Sequence, residues 1–125
     1  MLEDSYPIYL DLVFNDAIRL ADDALTYLKG SSGECWDKLE EEFAELKLAH
    51  NYLNRDEIAG EIGDVIICLI KVAIVNNIDI KEALAATVRK CDKRFDYMRQ
   101  QAGDELMNLT VDERLGLFRE AKRFE

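Results

Sequence analysis

Residues 39–46 read LEEEFAEL, so four acidic side chains stand among three large apolar ones. At about 100° per residue, an α-helix through this stretch carries one apolar stripe. The predicted stripe consists of Leu39, Phe43, Leu46, His50 and Leu53. Glu42 falls inside the stripe and Glu45 lies at its edge, whereas Glu40 and Glu41 point elsewhere. Two carboxylates are therefore predicted to face the core side of this helix.

The next helix repeats the pattern in residues 58–65, IAGEIGDV. Position by position, Glu61 and Asp64 take the places of Glu42 and Glu45. If a short turn makes the two helices antiparallel, four carboxylates meet at one seam, where they repel one another and lose water. Hard divalent cations offset such repulsion, and Mg²⁺ prefers a few carboxylates together with waters and phosphates. The pattern predicts a site for Mg²⁺, or alternatively Mn²⁺, on these four residues.

Two other interpretations of these acids deserve comparison. In one, Glu42 and Glu61 bend out to solvent or pair with Lys and Arg, and the chain is a non-enzymatic, oligomerising helical bundle; the pattern leaves this open. In the other, the chain is a ferritin-like di-iron protein, which typically uses E-x-x-H pairs. The only histidine is His50, and no Glu stands three residues before it, which argues against di-iron chemistry.

The whole chain is typical of a single all-α domain over residues 1–125. One Pro and six Gly favour long regular segments. Helix starts are marked by a cap residue with Glu three positions later, at Ser31 with Glu34, Asn54 with Glu57, Asp79 with Glu82, and Thr110 with Glu113. Pro7 suits the first turn of an opening helix that should end near Gly30. The predicted helices are 7–29, 34–53, 55–76, 80–101 and 111–124. They form an antiparallel bundle of four main helices plus a short C-terminal helix.

Charge and hydropathy exclude several classes of partner. The formal net charge of −10 argues against nonspecific binding to nucleic acid or to anionic membranes, which relies on Lys and Arg clusters. The longest apolar run, VIICLIKVAIV, covers 11 residues and contains Lys71, so it is too short to span a membrane. Three cysteines without C-x-x-C spacing, and an acidic N-terminus instead of a signal peptide, predict a cytoplasmic protein.

The fourth predicted helix supplies positive charge. Its apolar stripe consists of Leu84, Val88, Cys91, Phe95 and Met98. Lys90 and Arg94 stand four residues apart at one edge of this stripe, and Lys93 lies off that edge. A Lys and an Arg beside a magnesium site are suited to binding a polyphosphate. Ordinary surface cations that pair with this acidic chain are the alternative.

The third predicted helix carries a second apolar face opposite the predicted metal site. This face consists of Ala59, Gly60, Gly63, Ile67, Ile70 and Ile74. A helix that is apolar on both sides must be buried on both sides, and five short helices in one subunit leave part of it uncovered. The sequence therefore predicts a homodimer or a homotetramer.

The stretch CWDKLEEEFAELKLA, followed by DEIAGEIGDVIICLIKVA, fits the pattern W-x-K-x-x-E-E-x-x-E with E-x-x-D on the next helix. Over about residues 34–100, it resembles the MazG-type nucleoside triphosphate pyrophosphohydrolases. RKCDKRF, residues 89–95, is similar to the basic segment of that family. Val88 and Cys91 depart from it, because relatives often have Asn and Phe around this segment.

The resemblance implies an all-α oligomer that hydrolyses a nucleoside or deoxynucleoside triphosphate to the monophosphate and pyrophosphate, as in nucleotide-pool house-cleaning. A substrate like that of the related phosphoribosyl-ATP pyrophosphohydrolases is a minor alternative. By the resemblance, Glu42, Glu45, Glu61 and Asp64 would bind Mg²⁺, and Glu41, or a ligand such as Glu42, would orient and deprotonate water. Lys90, Lys93 and Arg94 would bind the phosphates, and Trp36 would border the base or simply pack as a core or interface aromatic.

Overall fold

The computed structural model describes residues 2–28 and 32–124, and within these ranges the chain is all-α, with no strand. The helices are α1 (Leu2–Leu28), α2 (Ser32–Asn51), α3 (Arg55–Val75), α4 (Ile80–Ala102) and α5 (Val111–Ala121), with short 3-10 helices at Gly103–Asn108 and Lys122–Phe124. The all-α prediction is confirmed. Two compact units are present, an N-terminal unit up to Ile80 and a C-terminal unit from Lys81. The single domain over residues 1–125 stays a prediction.

The predicted start of the first helix is wrong. Helix α1 spans Leu2–Leu28, so Pro7 lies beyond the first turn and not within it. The predicted helix end near Gly30 and the predicted cap residue Ser31 lie outside the described residues.

Local hydrogen bonds explain where the later helices begin. The Asn54 side chain accepts a hydrogen bond from the backbone N–H of Glu57 at 3.1 Å, which caps α3. At α5, Thr110 and Glu113 form a capping box of two hydrogen bonds. Thr110 Oγ1 accepts from the Glu113 N–H at 3.1 Å, and the Thr110 N–H donates to Glu113 Oε1 at 2.9 Å. Each bond satisfies a backbone donor or fixes the entry of the chain into the helix. The cap residues identified in the sequence therefore predicted the starts of α3 and α5 correctly.

The core of the N-terminal unit lies between α2 and α3, while α1 packs on α3. Leu39, Val65 and Cys68 form a buried cluster, against which Leu46 and Val72 pack. Residues 52–54 make only a short turn between α2 and α3, so the two helices are antiparallel neighbours. This turn is what places the two acidic segments side by side.

The predicted stripe on α2 is only partly correct. The packed face consists of Cys35, Leu39, Glu42, Leu46 and Ala49. Because this face is centred near Glu42, Phe43 is 48 % exposed and His50 is exposed. Leu53 lies beyond the end of α2, with a φ of 55°, and is also exposed. The left-handed conformation is unfavourable for leucine, so the turn is held at some conformational cost.

The second apolar face predicted on α3 is covered in part by the same chain. Ile70 is fully buried, and Ile67 and Ile74 are half-buried, which agrees with α1 packing on this helix. Gly60 and Gly63 are exposed, and a Cβ atom added at either would contact nothing within 4 Å. The C-terminal half of this face is therefore covered within the chain, whereas its N-terminal half is exposed. The large apolar residues of α3 that are exposed are Ile62, Ile66 and Leu69.

The C-terminal unit packs α4 and the segments that follow it through aromatic contacts. The Phe95 and Phe118 rings lie 5.8 Å apart, and those of Tyr97 and Phe124 lie 5.3 Å apart. Met98 is buried, as the predicted stripe requires, and Cys91 is half-buried. By contrast Leu84, Val88 and Phe95 are exposed. Across residues 2–28 and 32–124, no helix is both long and apolar enough to cross a membrane.

Candidate metal centre

Glu42 is the one charged residue among the described side chains that is buried, at 6 % exposure. It lies in the packed face of α2, between Leu39 and Leu46, and so its position follows from the helical period of the sequence. Burial of a carboxylate is unfavourable unless a cation or hydrogen-bond donors compensate it. A specific partner for Glu42 is therefore expected.

Three carboxylates come together at the seam between α2 and α3. Glu42, Glu45 and Glu61 each offer one oxygen, and these oxygens lie within 4.8 Å of one another. Among the described residues, Glu42 Oε2 and Glu61 Oε2 are buried and have no hydrogen-bond partner. Buried acceptors of this kind normally have a partner. Carboxylate oxygens are the donors that hard divalent cations prefer, so the cluster fits such an ion.

Asp64, the fourth predicted ligand, is exposed and does not belong to the three-oxygen group found among the described residues. Its charge nevertheless acts on Glu61 and contributes to raising the pKa of that residue. Asp64 therefore lies at the border of the cluster. Its role as a ligand stays a prediction.

The pKa values of Glu61 and Glu42 shift in opposite directions. Burial raises the pKa of Glu61 from 4.5 to about 6, and the neighbouring carboxylates of Glu42, Glu45 and Asp64 add to this effect. A hydrogen bond from Lys38 lowers the pKa of Glu42, against the opposing effect of burial. The cluster thus holds one carboxylate that is readily ionised and one that retains a proton under mildly acidic conditions.

Lys38 is a cation next to Glu42 that was not among the predicted site residues. Its Nζ lies 3.0 Å from Glu42 Oε1 and 3.6 Å from Glu41 Oε2. Hydrogen bonding to Glu42 in turn raises the pKa of Lys38. The Lys–Glu spacing of four residues on one helix is a signal that could have identified it. The alternative in which Glu42 pairs with Lys or Arg thus holds for one of its oxygens, while the other has no hydrogen-bond partner among the described residues.

Trp36 belongs to the N-terminal unit, and the predicted basic residues belong to the C-terminal unit. Trp36 is 53 % exposed and stands seven residues before Phe43, on the same exposed face of α2. In the C-terminal unit, Lys90 and Lys93 are exposed, whereas Arg94 is half-buried and its guanidinium lies 5.1 Å from the centre of the Phe118 ring. Their proposed contacts with a nucleotide stay predictions.

The chain was compared with protein families, curated proteins and solved structures. No curated protein and no solved structure matched it. The family comparison found one domain, described as the MazG nucleotide pyrophosphohydrolase domain, over residues 24–109. This range covers more than half of the chain and includes both acidic helices and α4. With both acidic segments inside the matched range, the chain belongs to the MazG nucleotide pyrophosphohydrolase domain family.

Proposed function

We propose that this protein hydrolyses a nucleoside or deoxynucleoside triphosphate to the nucleoside monophosphate and pyrophosphate, and that the reaction depends on Mg²⁺. The observation that carries the proposal is the pair of buried oxygens, Glu42 Oε2 and Glu61 Oε2, that have no partner among the described residues. They belong to a three-carboxylate cluster in a chain of the MazG family. A divalent cation would satisfy both oxygens.

We assign Glu42, Glu45 and Glu61 as ligands, with Asp64 as the fourth. When bound, Mg²⁺ neutralises phosphate charge and holds a water close to the phosphorus that is attacked. The residues supply hard oxygen donors from two packed helices, so the backbone on both sides of the ion is rigid. The negative charge of the cluster also attracts a cation to the seam and repels anions.

Glu41 is the candidate for orienting the attacking water and accepting its proton. It is exposed and lies 3.6 Å from the ammonium of Lys38, at the edge of the cluster. Glu42 is the weaker candidate, because Lys38 lowers its pKa and so makes it a poorer proton acceptor. We therefore keep Glu42 as a ligand and place the general base at Glu41.

The basic segment of α4 is proposed to bind the phosphates. Arg94 offers a planar fork of donors that suits phosphate oxygens, and its stacking on Phe118 restricts the orientation of that fork. Lys90 and Lys93 are exposed and add positive charge on the same helix. Trp36 is proposed to stack on the nucleobase, because a half-exposed aromatic ring on a rigid helix suits that contact.

The test is a panel of canonical and common damaged triphosphates, with phosphoribosyl-ATP included, incubated with the protein and Mg²⁺ or with a chelator. We expect a monophosphate and pyrophosphate from at least one substrate, in the presence of Mg²⁺ only. Release of orthophosphate would contradict the proposed pyrophosphate-releasing reaction, and no turnover across the panel would favour a non-enzymatic helical bundle. The panel also identifies the base and sugar that the site prefers.

We also propose that the protein assembles as a homodimer or a homotetramer. Ile62, Ile66 and Leu69 are spaced by four and three residues on α3, and each is between 41 % and 45 % exposed. Contiguous exposed apolar surface of this kind is typical of protein–protein contacts. Light scattering after size exclusion should give at least twice the chain mass of 14.4 kDa. A monomer at micromolar concentration would contradict this.

A further inference from the structure

The two oxygens of the Glu42 carboxylate have different surroundings. Oε1 lies 3.0 Å from Lys38 Nζ, on the more open side, where the Lys38 side chain is 45 % exposed. Oε2 is buried and has no hydrogen-bond partner among the described residues. One oxygen is thus held by the ammonium, and the other keeps its lone pairs free for a cation.

The backbone of Lys38 is held firmly beside Glu42. Cys35 and Leu39, on either side of Lys38 in the sequence, are 4 % and 2 % exposed and pack in the core. Lys38 and Glu42 are one helical turn apart, so their side chains lie next to each other on the same side of α2. The packed helix therefore keeps Lys38 and Glu42 one turn apart, within reach of the ion pair at 3.0 Å.

We propose that Lys38 is a positioning residue, which holds Glu42 through Oε1 so that Oε2 is available to the divalent cation. This inference rests on the proposed function of the cluster as a metal site. Hydrogen-bond partners of ligating carboxylates orient the ligand, and their loss typically weakens metal binding by about 10–100-fold. Lys38 thereby strengthens the binding of a cation although it is itself a cation.

A purely electrostatic role of Lys38 predicts the opposite change in Mg²⁺ affinity when Lys38 is replaced. If Lys38 acted only through its charge, its removal would take away a repulsion and tighten the binding of Mg²⁺. If Lys38 competed with the metal for Glu42, its removal would likewise tighten binding. Only a positioning role predicts weaker binding in a variant that has lost a positive charge.

The experiment is calorimetric titration of Mg²⁺ into the wild-type protein and into Lys38→Met, Lys38→Arg and Lys47→Met. We expect the dissociation constant to rise by about 10–100-fold in Lys38→Met. Lys38→Arg should restore most of the affinity, because arginine keeps the charge and the donor. Lys47→Met is the matched control, since it removes an exposed positive charge from the same helix, and its affinity should not fall.

Metal-free helicity, measured by circular dichroism, shows whether each variant folds. If Lys38→Met does not fold, Lys38→Ala takes its place, because alanine favours the helix and offers no donor to Glu42, and weakened binding that Lys38→Arg restores supports the inference. Equal or tighter binding in the folded variant overturns the inference and leaves the proposed function intact. Failure of the wild-type protein to bind Mg²⁺ overturns the proposed metal site itself.

Discussion

Helices α2 and α3 present the same acidic pattern at their common seam, yet the acids on that side have different partners. Lys38 stands four residues before Glu42, and its ammonium lies 3.0 Å from that carboxylate. When the two patterns are superposed, the position four residues before Glu61 is occupied by Glu57. The pKa of Glu42 is accordingly held below its ordinary value, whereas burial raises that of Glu61 to about 6.

We infer from this difference that a residue one turn away influences the charge state of a carboxylate at the seam. Burial disfavours ionisation in both cases, and only Glu42 has an ammonium that outweighs it. At the corresponding place in α3 an acid is favoured instead, because Glu57 lies in the first turn after the Asn54 cap. The start of α3 therefore conflicts with a lysine there. An ammonium therefore stands one turn before Glu42, and a carboxylate stands one turn before Glu61.

The largest expected effect comes from removing the charge of Glu61. Glu61→Gln keeps the size of the side chain but removes a proposed ligand. Turnover should fall by more than the roughly 10–100-fold typical of outer-shell partners of a metal. The metal-free protein at pH 7 should melt at the same temperature as the wild type or higher, because a repelled charge is gone. The rise in melting temperature on adding Mg²⁺ should shrink.

The matched control for this variant is Glu40→Gln. Glu40 is exposed and lies on the same acidic stretch of α2, away from the cluster. It should change neither turnover nor the Mg²⁺-dependent rise in melting temperature. Full turnover and a normal Mg²⁺ effect in Glu61→Gln would show that the carboxylate cluster is not a metal site.

Helical periodicity predicted the cluster itself from the sequence. Glu42 lies where a period of 3.6 residues places it, and the repeat of the pattern in the next helix predicted Glu61 opposite it. The capping box at Thr110 was equally predictable, because it depends only on residues three positions apart. These features depend on contacts that are short along the chain or regular along a helix.

Other features depend on packing between distant segments, which periodicity does not report. The exposure of Phe43 is one case, because it depends on how far α2 is rotated against α3. The burial of Ile70 is another, since it requires α1 to pack on α3. Lys38 was recognisable as an i, i+4 partner of Glu42. The packed structure adds that its ammonium lies 3.0 Å from Glu42 Oε1.

An effect of intermediate size is expected for the pH dependence of Mg²⁺ binding. In the metal-free protein the Glu61 carboxyl has a pKa of about 6, raised from 4.5. A proton must leave this group before a cation can bind, so protons compete with Mg²⁺ below pH 6. The affinity for Mg²⁺ should fall by up to about tenfold per pH unit below that value. Calorimetric titrations between pH 5 and pH 8 measure it.

Metal-free melting curves give an independent check of the same group. Because the folded state binds the Glu61 proton more tightly than the unfolded state, this group stabilises the fold below pH 4.5, and that contribution is lost as the pH rises through 6. The melting temperature of Glu61→Gln relative to the wild type should therefore increase across this window. An unchanged difference between the two proteins would contradict the raised pKa.

The smallest expected effect comes from making α3 resemble α2. Glu57→Lys places an ammonium four residues before Glu61, as Lys38 stands before Glu42. Such a pair is worth about 0.2–0.5 kcal/mol on a helix. A lysine in the first turn is unfavourable against the helix dipole by about 0.3–1 kcal/mol. The melting temperature should therefore change little, and the pKa of Glu61 should fall by about 0.3–0.7, because loss of the Glu57 repulsion and gain of the lysine together amount to about 0.4–1 kcal/mol.

The measurement is a pH titration of the labelled Glu61 carboxyl carbon by NMR in the metal-free protein, with Glu57→Gln as the control. The control removes the negative charge of Glu57 without adding an ammonium, and the backbone N–H that bonds to Asn54 is kept in both variants. A clear fall of the pKa in Glu57→Lys beyond that in Glu57→Gln would show that the ammonium makes the two helices differ. If Glu61 still titrates near pH 6 in both, burial alone sets its charge state, and the contrast between α2 and α3 does not originate at this position.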